Sequence, residues 1–223
     1  EWKQTQRLAD RHILAIQKKG GSPFDGEYDL ALLGDFQVEN AAVSIAATAG
    51  LAESGHEWAT PDAIRYALGN VSWPGRMEIL KADIPLVVDC AHNPYSVEKL
   101  IESLKSWFPD KKWILIFGAS NDKDIDGMLR ALLPISEHII VTRSYHPRAA
   151  VPYDLADKCA DMGQGAAISL DPEQALELAF KQLQPDMGII ATGSIFVVAD
   201  IRDAWGNKEN LNIPQGDWVD EPW

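Results

Sequence analysis

Cysteine is scarce in this chain. Only Cys90 and Cys159 occur in 223 residues, far apart and in no C-x-x-C spacing, so neither a disulfide framework nor a zinc knuckle is implied. Basic residues are outnumbered, with 20 Lys and Arg against 33 Asp and Glu and a net charge of -13. That balance argues against nucleic acid or an anionic membrane as the main partner, while leaving room for a local positive site. No apolar run approaches the roughly 20 residues that span a bilayer, and no signal peptide opens the chain, so a soluble, cytoplasmic monomer is expected. No G-x-x-x-x-G-K-[ST] loop is present to grip phosphates, and no G-x-S-x-G elbow to carry a nucleophilic serine. His56-Glu57 lacks the second His of a zinc protease helix. Asp122, Asp124, Asp126 and Gly127 imitate the first half of a calcium loop, but its twelfth position is Leu133 where a bidentate Glu is needed. The chain opens on Glu1 rather than Met, which leads to the expectation of a fragment whose phosphate-gripping part lies elsewhere.

What is present organises itself around Leu86 to Pro94, LVVDCAHNP. Leu86, Val87 and Val88 are too few for a helix and rich in β-branching, and Asn93-Pro94 sets up a helix to about Trp107. A strand whose C-terminal end carries Asp89 and His92 just before a helix N-terminus is where open α/β sheets place ligands. Unpaired N–H groups and the helix dipole there suit an anion. The alternative local reading is that Asp89 only caps the helix and His92 is a surface residue.

With 46% apolar residues the chain can bury a core and form one or two domains. Residues 1 to 30 are poorly patterned, with a helix expected over Gln6 to Lys19 that ends at Gly20-Gly21, and a short strand over Leu30 to Leu33. An Ala-rich helix follows Gly34, with Ala41, Ala42, Ile45, Ala46, Ala49 and Leu51 on its apolar face, and Pro61 starts another. Trp73-Pro74-Gly75-Arg76 breaks the pattern, and the domain boundary is placed there. Beyond it, strands are expected at Leu86 to Asp89, Trp113 to Phe117, Ile139 to Thr142, Ala167 to Leu170 and Ile189 to Thr192. Helices are expected between them and over Ile195 to Ala204. This alternation predicts an α/β fold with a doubly wound, mostly parallel sheet, whose C-terminal strand ends share one rim. Residues 205 to 223 read as an acidic tail in which Trp218 and Trp223 are candidates to dock on a surface.

Five segments together resemble the C-terminal half of folylpolyglutamate synthase / dihydrofolate synthase, within the Mur ligase superfamily. They are LGDFQVENAAVSIAA (Leu33 to Ala47), WPGRMEIL (Trp73 to Leu80), VVDCAHNP (Val87 to Pro94), NDKD (Asn121 to Asp124) and TGSIFVVADIR (Thr192 to Arg202). Their order and spacing match as a set over roughly Asp29 to Arg202. Two positions depart from the family pattern: Phe36 stands where the family usually has His, and Cys90 where it usually has Gly.

The resemblance implies that 1–73 is the end of a central ATPase domain and linker. On that resemblance 74–204 is a Rossmann-like glutamate-ligase domain of the Mur ligase C-terminal type, preceded by a partial helical segment of the central domain. It implies ATP-dependent addition of L-glutamate to folate or dihydropteroate through an acyl phosphate. ATP and Mg²⁺ would be the cofactors, with metal ligands mainly in the missing N-terminal region. Carried over position by position, Asn40, Arg76 and Asp89 match nucleotide-contacting residues, and His92 and Ser194 match positions that hold the incoming glutamate. Arg76 and His92 would then be the catalytic pair. Physical chemistry agrees: a guanidinium in a Pro-Gly turn can neutralise transferring phosphate, and Asp89 can accept from ribose hydroxyls or orient a cation. Competing readings are another Mur-type amide ligase and an α/β binding module without chemistry.

Overall fold

The computed structural model describes residues 1–211. The chain divides between Trp73 and Pro74 into two compact units, each described by itself.

The first unit starts as a sheet. Strands β1 (Trp2–Arg7), β2 (His12–Ile16) and β3 (Gly26–Leu30) pair antiparallel in chain order. Residues 6–19 are therefore not a helix. The Leu8 amide closes a turn on the Arg11 carbonyl at 2.8 Å, and Leu14 in mid-strand is fully buried. The helix-favouring Gln, Leu and Lys residues here supply only a weak local preference, which cross-strand pairing and burial override. β3 likewise ends at Leu30, where a strand was expected to begin. Helices α1 (Phe36–Glu53) and α2 (Pro61–Asn70) complete the unit, and Leu14, Phe24, Tyr28, Leu30, Val38, Ala41, Ile45 and Leu68 form its core. The segment before the boundary is thus a small α+β unit, with a three-stranded sheet where the expected partial helical segment had one short strand.

The second unit is the expected doubly wound α/β fold with one addition. Its sheet contains β4 (Glu78–Lys81), β5 (Leu86–Val88), β6 (Lys112–Phe117), β7 (Ser136–Val141), β8 (Ala167–Ile168) and β9 (Met187–Thr192). The strand order is β4-β5-β9-β6-β7-β8. Only β4, absent from the sequence expectation, runs antiparallel. Helices α3 (Pro94–Trp107), α4 (Ile125–Leu132), α5 (Pro152–Asp161), α6 (Pro172–Gln182) and α7 (Ile195–Glu209) make the connections and the closing element. Leu86, Val88, Ile114, Ile116, Ile189 and Ala191 pack against residues of α6 and α7. The alternate residues Val87, Leu115 and Ile190 are equally buried, as a parallel sheet covered on both faces requires.

The last helix outruns its expected end at Ala204. It continues to Glu209 because Trp205 is buried and stacks on Phe180 at 5.7 Å. The expected acidic tail therefore loses its first residues to α7, while Trp218 and Trp223 lie outside the described residues.

β5, β6, β7 and β9 all point their C-terminal ends to one rim, and β9, last in the chain, is inserted between β5 and β6. The connection leaving β5 steps over β9 to β6 and runs on outward, whereas the one entering β9 returns from β8, so the direction reverses between these adjacent strands, where open α/β sheets form a ligand crevice.

Candidate functional site at the strand rim

The end of β5 and the end of β9 are joined directly. The Asp89 amide donates to Ala191 O at 3.1 Å, and the Gly193 amide donates to Ala91 O at 3.0 Å. Gly193 has φ +102, and a Cβ there would lie 2.6 Å from both Gly118 O and the Phe117 ring, so only glycine fits this crossing. Residues 89–92 and 191–194 therefore form one continuous polar edge.

Asp89 is buried at 3% exposure, and it does not cap α3. That cap belongs to Asn93, in a reciprocal box with Ser96. One Asp89 oxygen accepts the Met77 amide and the other the Ala91 amide, each at 2.8 Å. Burial pushes the carboxyl up to about 6, against the opposing pull of those two amides and the charges of Arg76 and His92. The side chain expected to meet a ribose or a cation is thus turned inward as a strut between strand end and turn.

The turn it supports carries Arg76. Gly75 has φ +73, and a Cβ on it would lie 2.7 Å from the Cys90 sulfur. Met77 holds φ +45 while fully buried, a strained conformation for a residue with a side chain, of a kind that persists where surroundings over-determine it. Between them Arg76 is exposed, and its guanidinium pairs with no carboxylate among the described residues. Cys90, in the family's usual glycine position, donates its amide to Gly75 O at 2.8 Å. Its thiol is pushed up to about 12 by burial and by neighbouring Asp89, so it is no nucleophile at neutral pH.

His92 is exposed beside Asp89, and its Nδ1 lies 3.0 Å from Cys90 O. A carbonyl only accepts, so Nδ1 carries the proton of the neutral ring and Nε2 keeps its lone pair. Ser194 is buried, with its hydroxyl accepting from the Phe196 amide at 3.3 Å as the cap of α7. The capping alternative, set aside for Asp89, thus applies to Ser194, although its hydroxyl hydrogen remains available to donate.

Arg76, Asp89, His92 and Ser194 accordingly share the rim of the second unit. Asn40 belongs to the first unit, where it is exposed on α1 and donates to Gln37 Oε1 at 2.9 Å. Two further rim loops meet each other: the Asn121 amide donates to Arg148 O at 2.9 Å, and His146 stacks on Phe196 with centroids 4.1 Å apart. The aspartates of the incomplete calcium pattern have other uses, since Asp124 caps α4 and Asp126 pairs with Lys158.

Sequence reasoning missed what fixes the Arg76 turn from behind. Glu78, the first residue of β4, accepts the Gly75 amide at 2.8 Å and takes a two-pronged grip from Arg202 of α7 at 2.7 and 3.2 Å. The partners stand 124 residues apart, so no local pattern could announce them, although both fall inside the family-like motifs.

A parallel sheet whose winding direction reverses at one adjacent strand pair, with an arginine in no ion pair among the described residues, a histidine and a helix start on its carboxyl rim, is the architecture of a ligand-binding α/β domain. Residues 75–195 match the family model of the Mur ligase, glutamate ligase domain, and the chain belongs to that family. It is 31% identical over 172 residues to dihydrofolate synthase/folylpolyglutamate synthase of Bacillus subtilis, covering 77% of this chain and 40% of that protein. It is 34% identical to a probable bifunctional folylpolyglutamate synthase/dihydropteroate synthase of Halobacterium salinarum, covering 87% of this chain and 23% of that protein. Among solved structures, Mycobacterium tuberculosis folylpolyglutamate synthase complexed with ADP and AMPPCP superposes with a TM-score of 0.77 at 25% identity. That match covers 92% of this chain and 48% of the other. The chain thus spans less than half the length of these relatives.

Proposed function

We propose that this chain supplies the glutamate-ligase part of an ATP-dependent ligase that adds L-glutamate to a folate or dihydropteroate. The observation that carries this is the exposed, unpaired Arg76 on a strained turn, set beside His92 on the carboxyl rim of a family sheet. In this reading the γ-phosphoryl of ATP passes to a substrate carboxylate. The glutamate amine then attacks the acyl phosphate, and phosphate leaves from the tetrahedral intermediate.

Arg76 neutralises phosphate charge as transfer proceeds. A guanidinium engaged with no carboxylate is free to take phosphate oxygens in pairs. His92 Nε2, with its lone pair, takes a proton from the incoming ammonium, which must be lost before nitrogen can attack. Ser194 donates its hydroxyl to a carboxylate of glutamate. Asp89 serves the nucleotide side through the turn it braces, and Asn40 offers a base-reading or ribose-reading amide from the first unit. Among the described residues no group of three His, Cys, Asp or Glu side chains is placed to hold a metal ion. On the family resemblance, ligands for Mg²⁺ are assigned mainly to the rest of the ligase. Glutamate and the pteridine acid are the small-molecule partners, and the protein works as a cytoplasmic monomer.

A second acceptor class is favoured by one observation. The chain is 31% identical, over 80% of its length, to UDP-N-acetylmuramyl-tripeptide synthetase of Lactobacillus acidophilus, matching 35% of that protein. Phosphate release by the complete ligase should separate the two readings. Release that requires glutamate together with dihydropteroate or a folate supports the first, and release that requires a UDP-muramyl peptide instead replaces it. Dependence on neither acceptor class leaves the binding-module reading in its place.

A further inference from the structure

The Arg76 turn is held at more points than its length requires. Gly75 is fixed through both its amide, which donates to Glu78 Oε2, and its carbonyl, which accepts from the Cys90 amide. Met77 is fixed through its amide, which donates to Asp89 Oδ2. Asp89 and Cys90 come from the end of β5, whereas Glu78 is bound from behind by Arg202, which is 8% exposed on α7. The Arg202–Glu78 contact is a fork-to-carboxylate grip, with Nε on one oxygen and Nη2 on the other, the geometry in which such pairs are strongest and most directional.

With Oε2 bound to both Gly75 and Arg202, the Glu78 carboxylate cannot swing to Arg76, the nearest cation along the chain. Its charge is also compensated by Arg202 where it is half-buried, which leaves Asp89 as the carboxylate whose charge Arg76 feels. Both residues flanking Arg76 have positive φ, and a strained turn that lost one of its fixings would relax toward ordinary backbone geometry.

We propose that Glu78 and Arg202 are a positioning pair that acts through Arg76. They hold the strained turn that aims the guanidinium and keep the Glu78 carboxylate, two residues along the chain, engaged elsewhere. The proposal rests on the reading of Arg76 as the phosphate-neutralising group. The pair also ties that group to α7, whose first turn is capped by Ser194, the residue assigned above to glutamate in the proposed reaction. One helix thus carries both Arg202 and the Ser194 cap.

The test uses Glu78→Asp, which keeps the charge that Arg202 needs but is too short to span from β4 to the Gly75 amide. In the complete ligase, Glu78→Asp should lower kcat by about 10- to 100-fold, since mispositioning a charge by about 1 Å costs on that order. KM for glutamate should stay close to wild type. In an Arg76→Ala background the same substitution should cost nothing more, because its effect runs through the missing guanidinium. An equal loss in both backgrounds would show an independent structural role and overturn the proposal. The clamp itself is read separately by hydrogen exchange on the 223-residue chain. Gly75 and Met77 amides should exchange at least about 10-fold faster in Glu78→Asp and in Arg202→Lys, while Ile114 to Ile116 amides keep their protection. Unchanged exchange at Gly75 overturns the clamp whatever the kinetics show. Normal turnover of Arg76→Ala alongside faster exchange would instead strike the functional reading and leave the clamp standing.

Discussion

The carboxylate of Asp89 accepts the amide of Met77 at 2.8 Å, so the residue at the end of the first parallel strand holds the turn that precedes the sheet. Met77 is fully buried at positive φ. The two residues stabilise each other's unfavourable state: Met77 supplies a donor to a buried carboxylate, and Asp89 fixes a backbone that would otherwise relax.

This pairing makes a pH prediction. The Asp89 carboxyl is raised from 3.8 to about 6 by burial. Between those values the folded chain holds a proton that the unfolded chain has released, so the Asp89 contribution to stability falls as pH rises through that window and is flat above it. Asp89→Asn cannot titrate. Urea midpoints should show wild type gaining on Asp89→Asn by up to about 3 kcal/mol from pH 7 to pH 4, because each tenfold difference in proton affinity between folded and unfolded chain is worth about 1.4 kcal/mol. Parallel curves for the two proteins would refute the raised value.

His12 predicts the opposite slope for the first unit. It is fully buried, and burial lowers its pKa from 6.5 despite the opposing Asp35 charge and a hydrogen bond to the Gly34 backbone, with Arg7 adding to the lowering. As pH drops below 6.5 the unfolded imidazole takes a proton that the folded one refuses, so stability contributed above that pH is lost. Amide exchange at Leu14 and Tyr28 should accelerate between about pH 6.5 and 5 relative to the intrinsic rate, and His12→Gln should flatten that dependence. A pH-independent opening free energy at both amides in wild type would contradict it.

Gly193→Ala should destabilise the second unit by at least about 3 kcal/mol, combining strain at positive φ with overpacking. The new methyl would meet the Gly118 carbonyl and the Phe117 ring, both fixed within the core. A denaturant midpoint within error of wild type would mean that the strand-end crossing is looser than its contacts imply.

Arg76→Ala and His92→Ala separate the two sides of the proposed reaction. Arg76→Ala should lower kcat of the complete ligase on the order of 10³-fold, as loss of a transition-state arginine does. Stability of the isolated chain should stay within about 0.5 kcal/mol, since an exposed, unpaired side chain is removed. His92→Ala should raise the concentration of glutamate needed and lower turnover about 10²-fold, the scale of a lost proton acceptor. A lowered melting temperature for Arg76→Ala with normal turnover would reassign it as a structural clamp.

The sequence by itself determined the second unit's parallel alternation, because runs such as Leu86 to Val88 and Ile189 to Ile190 are short, rich in β-branching and set between helical patterns, which favours buried strands. It also determined the rim, because a parallel sheet puts every strand's carboxyl end on one side, and Asp89, His92 and Ser194 stand just beyond such ends. Their conjunction with Arg76 was legible from the order of motifs. Only the tertiary structure decided what each polar group does there. Local pattern offered Asp89 as a cap or a ligand, and burial against Met77 and Ala91 makes it a strut, while Asn93 takes the cap. Gln6 to Lys19 reads locally as a helix because propensity is a local quantity, whereas a hairpin is stabilised by pairing across a turn. Trp205 was assigned to a tail because its partner Phe180 lies on another helix. The Glu78–Arg202 grip, which closes β4 and α7 onto the Arg76 turn, joins residues 124 positions apart. No periodicity encodes such a contact, since it exists only once the sheet has brought the two ends of the domain together.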